Sequence, residues 1–455
     1  SGDNAFGIFA QSIGNGGGFG GDASGTFAGS TSENGTGTGG DIAIVQQGLI
    51  TASGAGGVGI FAQTQGDADA VASTLGSVNI VVEGGVAGGS SSGQDAGIFV
   101  SGGIYNSVTV ESGGYVGTNS YADDRVAIRF EGDRTTAEGS LLNVTNHGTV
   151  DGSIILTNLD SDDASSDVVL KGITTAAVAT TPALGAGAGT VTNNGILRNA
   201  SRVQADLVNH GRFYVGGGGA IQETLVSGHF QQSAAGTLII DADFETGRID
   251  RLVLADGATL AGTLDVETTS LLPGRLSFLA VEGARTGTLT GAEHDIFTYQ
   301  VVEEGAGLAL SVDADMSAGR FGLTGTKAHL ADHLQAVWDA GGGAFGKGFS
   351  ELAKAGAGDY GEALGGVHSD VPGAPAAQAN ALAQQRFDRL MSCPVFGPST
   401  ALVAQTECAW AQVSGQTFHQ GEIDGVTGYD DTVWSYALGG QKRLGTDLFL
   451  GLSAA

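Results

Sequence analysis

Val144-Thr145-Asn146-His147-Gly148-Thr149-Val150 is the stretch that decides how this chain folds. Two short β-branched runs flank an Asn-x-Gly corner. The pattern returns as Val191-Thr192-Asn193-Asn194-Gly195-Ile196-Leu197 and as Leu207-Val208-Asn209-His210-Gly211-Arg212-Phe213. Each copy reads as strand, corner, strand. Asn and Gly are expected to take up positive φ at the corner, and the flanking apolar residues to point into a narrow core. A unit this short cannot bury its own apolar face, so copies must stack as a solenoid of parallel strands. With ~4.8 Å between stacked strands and roughly 20–25 residues per coil, residues 1–300 predict a rod on the order of 60 Å long.

Upstream the repeat is looser. Gly7-Ile8-Phe9-Ala10-Gln11 recurs as Gly59-Ile60-Phe61-Ala62-Gln63 and, degraded, as Gly97-Ile98-Phe99-Val100. An apolar, Gly-containing turn, apolar unit appears at 45–50, 82–86 and 110–116. The Gly-rich stretches 15–21 and 32–40 read as loops off the coils. Downstream, 225–313 carries longer strands, expected at 236–241, 251–255, 259–267, 275–281, 296–302 and 308–312, with turns such as Asp256-Gly257. This part reads as the best packed.

Composition agrees with strands joined by tight turns. There are 80 Gly and only 6 Pro, with no collagen period, and 41% of residues are hydrophobic, too many for a disordered chain. The net charge is −29, and no Lys or Arg precedes Arg125. That argues against nucleic acid as a partner, because phosphate binding needs basic side chains. It suits a soluble extracellular surface, with cation binding as the sharper alternative. No signal peptide is visible at Ser1-Gly2-Asp3-Asn4.

Helices are expected only after Thr324: 327–340, with Leu330, Leu334, Val337 and Trp338 at helical spacing, then 345–355, 359–367 and 374–391. From Glu407 the pattern becomes amphipathic strands at 408–419, 432–443 and 447–455. Trp434, Tyr436 and Leu438 share one face of the second; Ser435, Ala437, Gly439 and Gln441 share the other. Apolar-out, small-or-polar-in alternation is that of an outer-membrane barrel wall, and such a barrel needs at least about 8 strands to close. About three precede Ala455, so the chain reads as a fragment. Cys393 and Cys408, the only two cysteines, suit a small disulfide in an oxidising compartment or two structural thiols.

The chain resembles bacterial autotransporters, the type V secretion proteins. The resemblance rests on the Gly-Ile-Phe-Ala-Gln copies, on Asp250-Arg251-Leu252-Val253-Leu254 with Gly262-Thr263-Leu264, and on Arg386-Phe387…Leu390-Met391-Ser392-Cys393-Pro394 followed by Cys408-Ala409-Trp410-Ala411. It implies an all-β fold: a right-handed parallel β-helix, a short helical linker, and the first antiparallel strands of an incomplete outer-membrane β-barrel. The implied division is a passenger at 1–224, an autochaperone-like end at 225–323, a helical linker at 324–395 with a helix inside the barrel, and the truncated barrel at 396–455. Arg386, Phe387, Trp410, Trp434 and Tyr436 are expected to serve translocator structure. The implied localisation is the outer membrane, with the passenger displayed or released at the cell surface. The implied partners are that membrane, its assembly machinery, and a host or surface glycan or protein ligand. Self-cleavage is not expected, because the paired asparagines of some relatives are reduced here to Asn380 alone.

Catalytic patterns are weak throughout. Gly89-Ser90-Ser91-Ser92-Gly93 lacks the strand-to-helix context of a nucleophile elbow. Gly16–Gly21 and Gly35–Gly40 fit G-x-G-x-x-G with no helix to receive a pyrophosphate. The segment 17–22 echoes a Ca²⁺ nonapeptide without tandem copies, and Asp160, Asp162, Asp163 and Asp167 read as a solvated acidic loop. His329 and His333 have metal-ligand spacing but no third ligand. His147 and His210 recur at one corner position, which suggests turn packing. Asn146, Asn193 and Asn209 suggest a ladder that satisfies backbone groups. No catalytic residue, cofactor or metal is therefore expected. The function read here is adhesin-like. The rivals are a β-helix polysaccharide lyase or hydrolase, marked by paired carboxylates or by an Arg or Lys near a carboxylate cluster along one groove, and a secreted solenoid without a pore.

Overall fold

A computed structural model describes residues 2–14, 20–21, 27–28, 38–65, 76–89, 95–119, 125–133, 140–159, 188–354, 360–367, 408–420, 429–444 and 449–454. The chain forms two compact units: Ser1–Ala314 with Trp338–Lys354, and Asp315–Val337 with Ala355–Ala455. The expected sites at Ser91, Asp160–Asp163 and Asp167, the Gly16–Phe19 and Gly35–Gly37 runs, and the helix at 374–391 lie outside the described residues.

The first unit is a solenoid-like stack of parallel strands in three long sheets. Each coil gives one strand to each sheet in turn. Phe6–Ile13, Ile42–Gln46 and Leu49–Thr51 make the first coil, and Gly274–Val281, Arg285–Gly287 and Thr290–Gly291 make the ninth. The register is the reason the sequence repeats. Ile8, Ile60, Ile98, Ile128 and Ile154 stand in one file of the first sheet and continue as Val203, Val226, Leu254 and Val281. Ile80, Val108, Val144, Val191, Leu207 and Phe230 form the file of the second sheet. Val86, Val116, Val150, Leu197, Phe213, Leu238 and Leu264 form that of the third. Nearly all are buried. Shape-matched residues stacked one strand spacing apart leave few voids, which is what close packing rewards.

Three sequence expectations need correction here. One turn takes as few as 16 residues, Asn193 to Asn209, and as many as 52, Gln11 to Gln63. Nine coils therefore rise on the order of 40 Å, not 60 Å, because early turns carry long insertions. The expected strand at 259–267 is two strands, Ala258–Leu260 and Thr263–Ser270, on different sheets; Gly262, at φ 76°, turns the chain between them. A short helix, Ala318–Phe321, also precedes Thr324.

The corner glycines act differently from expectation as well. Gly148, Gly195 and Gly211 do not take positive φ. Their backbones instead lie flat against the coil below. A Cβ on Gly84, Gly148, Gly195, Gly211 or Gly262 would fall within 3.0 Å of the carbonyl oxygen of the corner glycine one turn earlier. That carbonyl is in use: Gly114 O accepts from Thr149 N (2.9 Å), Gly148 O from Ile196 N (2.8 Å) and Gly195 O from Arg212 N (2.8 Å). At Gly84, Gly148, Gly195 and Gly211 glycine is required by close approach rather than by dihedral freedom, and at Gly262 by both.

Beside the glycines runs an amide ladder. Asn146 Nδ2 donates to Asn193 Oδ1, Asn193 Nδ2 to Asn209 Oδ1, and Asn209 Nδ2 to Gln232 Oε1, each at 2.7 Å and each buried. The same amides reach the corner backbone through Ile196 O (2.9 Å) and Arg212 O (3.1 Å). Buried polar groups are satisfied in this way, as the sequence suggested. His147 and His210, in contrast, stand exposed at their corners and are not packed into the turns.

The Gly-Ile-Phe-Ala-Gln copies also stack in register on the first sheet, Phe9 on Phe61 on Phe99. The Phe9 and Phe61 rings stack at 5.2 Å, and Phe61 meets Phe99 edge-on at 5.2 Å. Arg129 continues the file, its guanidinium 5.7 Å from the Phe99 ring centroid. The repeat's glycine fits tightly: a Cβ on Gly59 or Gly97 would meet Val86 Cγ1 or Val116 Cγ1.

At the other end the parallel order stops. Gly307–Ala314 pairs antiparallel with Gly274–Val281 and with Phe297–Glu304. Phe297, Trp338 and Phe349 cluster at ring distances of 5.3–6.4 Å, and Leu271 N donates to Gly346 O (2.9 Å). The hairpin and the helix Gly346–Lys354 cover the last coil. In the second unit, Tyr360 of the helix Tyr360–Val367 donates to Met316 O (3.2 Å) and packs edge-on to Phe321 at 4.7 Å.

Gly195→Ala is expected to destabilise the solenoid by about 1–3 kcal/mol, because the new methyl must displace a hydrogen-bonded backbone. Gly218→Ala, where a Cβ meets nothing within 4 Å, should stay within about 0.5 kcal/mol. Urea midpoints by circular dichroism read both, and equal midpoints would remove the close-approach argument. Asn193→Ala should cost about 1–3 kcal/mol by stranding Asn209 Oδ1, seen in the same assay.

Candidate functional site

Of the residues expected to serve translocator structure, Trp410, Trp434 and Tyr436 fall on a three-stranded antiparallel sheet: Cys408–Gln420, Tyr429–Arg443 and Phe449–Ala454. The register pairs Ala411 with Leu438, Val413 with Tyr436, Gly415 with Trp434 and Thr417 with Thr432. Alternation puts these residues on one face, and that face is exposed. Trp434 is 62% exposed, Tyr436 67%, Leu438 64% and Val413 60%. Large apolar side chains exposed together on one face mark a surface built to meet something apolar.

The face is graded along the strands. His419 lies opposite Asp430, and Thr417 Oγ1 and Thr432 Oγ1 are 3.4 Å apart. Next come the aromatic pair Trp434 and Tyr436, then Leu438 with Ala411 and Ala409. Gly415 leaves room for the indole, whose ring carbons lie 3.1–3.2 Å from where a Cβ on Gly415 would stand. Val413 and Gly415 escaped the sequence reading, although the alternation of 409, 411 and 413 carried the signal.

The other expected residues divide. Cys408 and Trp410 lie in the first strand, paired through their Cα atoms with Gln441 and Gly439. Their side chains, together with Arg386, Phe387 and Cys393, lie outside the described residues, and so does the expected disulfide. His329 and His333 sit on the helix Gly325–Asp339, and no metal-holding group of His, Cys, Asp or Glu occurs among the described residues. No described helix is long and apolar enough to cross a membrane, which says nothing of strands.

Two features of the solenoid were not legible in the sequence. A groove of about 510 Å³ runs over its outer face between Ile221, Glu223, Arg248, Arg251 and Leu276. Arg251 Nη1 lies 3.4 Å from Glu223 Oε2, both half-exposed. Behind it, Asp250 is fully buried and Asp241 nearly so. Burial pushes the Asp250 carboxyl up to about 7, against the pull of the Asp241 and Gln222 N–H groups and with the help of the Asp241 and Glu267 charges. Burial likewise raises Asp241, against the Gly219 and Ala220 N–H groups.

No protein-family model matches the chain, and no curated protein sequence matches it.

Proposed function

We propose that this chain is the export-and-display part of an autotransporter-like protein. In this reading the solenoid is an adhesin-like passenger, and the three-stranded sheet begins the outer-membrane pore that delivers it to the cell surface. The observation that carries the reading is the exposed face of Val413, Trp434, Tyr436 and Leu438. Its order, polar then aromatic then aliphatic, matches the crossing from headgroups into hydrocarbon, where Trp and Tyr gather at the boundary. A wall strand needs about 9–11 residues to span; the first two strands here have 13 and 15. The solenoid, with its net negative charge and stacked corners, suits a passenger that presents a long surface without chemistry of its own.

A second reading, a glycan-directed solenoid, draws on the groove. Arg248 and Arg251 beside Glu223 meet part of the pattern expected of it. Among the described residues, Glu223 is the single carboxylate lining the groove, and Arg251 engages it. Glycoside hydrolysis takes two carboxyl groups in different protonation states, so the groove supports binding of an acidic glycan better than hydrolysis.

Reading the encoding DNA downstream of Ala455 tests the pore. Further alternating strands of about 10 residues, closing on a terminal aromatic, are expected; a stop codon there leaves a solenoid without a translocator. In the gene carried to its natural end, Leu438→Arg should cost about 2–4 kcal/mol of membrane insertion if that position lies near mid-bilayer. Heat-resistant migration of the membrane-inserted form reports it, and wild-type insertion by the variant would sink the lipid-facing assignment.

A further inference from the structure

The turn into the seventh coil is the run Gly216-Gly217-Gly218-Gly219, with positive φ at 216, 217 and 219. It folds down onto two carboxylates. Gly219 N donates to Asp241 Oδ2 (2.7 Å), Gln222 N to Asp250 Oδ1 (2.7 Å) and Asp241 N to Asp250 Oδ2 (2.8 Å). Asp250 N in turn donates to Asp241 O (2.9 Å). One pair of side chains thus fastens the loop 216–222, the strand Thr237–Asp243 and the residue before the strand Arg251–Leu254.

Neither carboxylate has an ion-pair partner among the described residues. The charged group nearest the pair is Glu267 on the next coil, which itself feels the charges of Asp265 and Arg212. Glu223, Arg248 and Arg251 are exposed in the groove on the other side. Two like charges in a buried site cannot both ionise cheaply, and N–H groups alone must carry whatever charge is present.

We propose that Asp241 and Asp250 form a proton-linked latch, which holds the loop 216–222 closed while one of the two carboxyls keeps its proton and loosens it when both ionise. The direction follows from linkage. A carboxyl held neutral by burial is more acidic once the loop opens to water, so opening releases a proton. The closed form is favoured fully at pH below the ordinary aspartate range and loses that advantage as pH rises towards about 7. The loop also floors the groove through Ile221 and Gln222, so the latch sets the shape of that surface.

Hydrogen exchange on the full chain tests this. After correction for intrinsic rates, protection at Gly219, Gln222 and Asp241 should fall at least roughly tenfold between pH 5 and pH 7.5. Protection at Thr149 and Ile196, four and more coils into the stack, should hold steady. Asp250→Asn should abolish the difference. If that variant does not fold, Asp241→Asn should move the fall to lower pH, because the remaining carboxyl has lost its like-charged neighbour. The latch is overturned by a fall shared equally by all coils, by no fall at the loop, by persistence of the fall in Asp250→Asn, or by an unmoved fall in Asp241→Asn.

Discussion

Backbone contact between coils is the constraint on which the solenoid depends. Parallel strands must approach to about 4.8 Å to hydrogen-bond, and the corners must approach as closely as the strands. At the strand positions, side chains point into or away from the core and leave the hydrogen-bonding direction clear. At the corner the chain turns, and the Cβ vector of residues 84, 148, 195, 211 and 262 swings onto the carbonyl one turn below. Only glycine leaves that carbonyl open to the N–H it serves.

The rest is organised around that file of glycines. On its N-terminal side, Asn146, Asn193, Asn209 and Gln232 pass an amide chain from coil to coil and satisfy the corner backbone. On its C-terminal side, Val150, Leu197, Phe213 and Leu238 enter the core. Insertions are tolerated because they leave these files intact. The 52 residues between Gln11 and Gln63 still bring the two amides within 2.7 Å. Loop-closure entropy rises only slowly with length, so a long excursion costs little once the coil returns in register.

The same economy explains where charge is placed. Asp151 is buried but sits between Arg198 at 3.0 Å and Arg125 at 3.8 Å, with Asn199 Nδ2 at 2.7 Å. Asp241 and Asp250 have backbone N–H groups instead. One carboxylate is a fixed cross-link between coils; burial raises the other two, which only N–H groups hold. The exposed sheet follows a different rule, putting its aromatic and aliphatic side chains outward on one face because an apolar solvent, in the proposed reading, replaces the core.

Local repetition in the sequence determined a great deal. Strand, corner, strand at 144–150, 191–197 and 207–213, the Asn files, the helices near 327–340, 345–355 and 359–367, and the face shared by Trp434, Tyr436 and Leu438 were all legible. Each depends on short-range periodicity, which a sequence displays directly. Tertiary structure alone decided the number of coils, the split of 259–267 across two sheets, the reason for the corner glycines, the groove at Arg248 and Arg251, and the meeting of Asp241 with Asp250. Those features depend on which residues stack across a turn of 16 to 52 residues, and a variable turn length hides that correspondence until backbone hydrogen bonds fix the register.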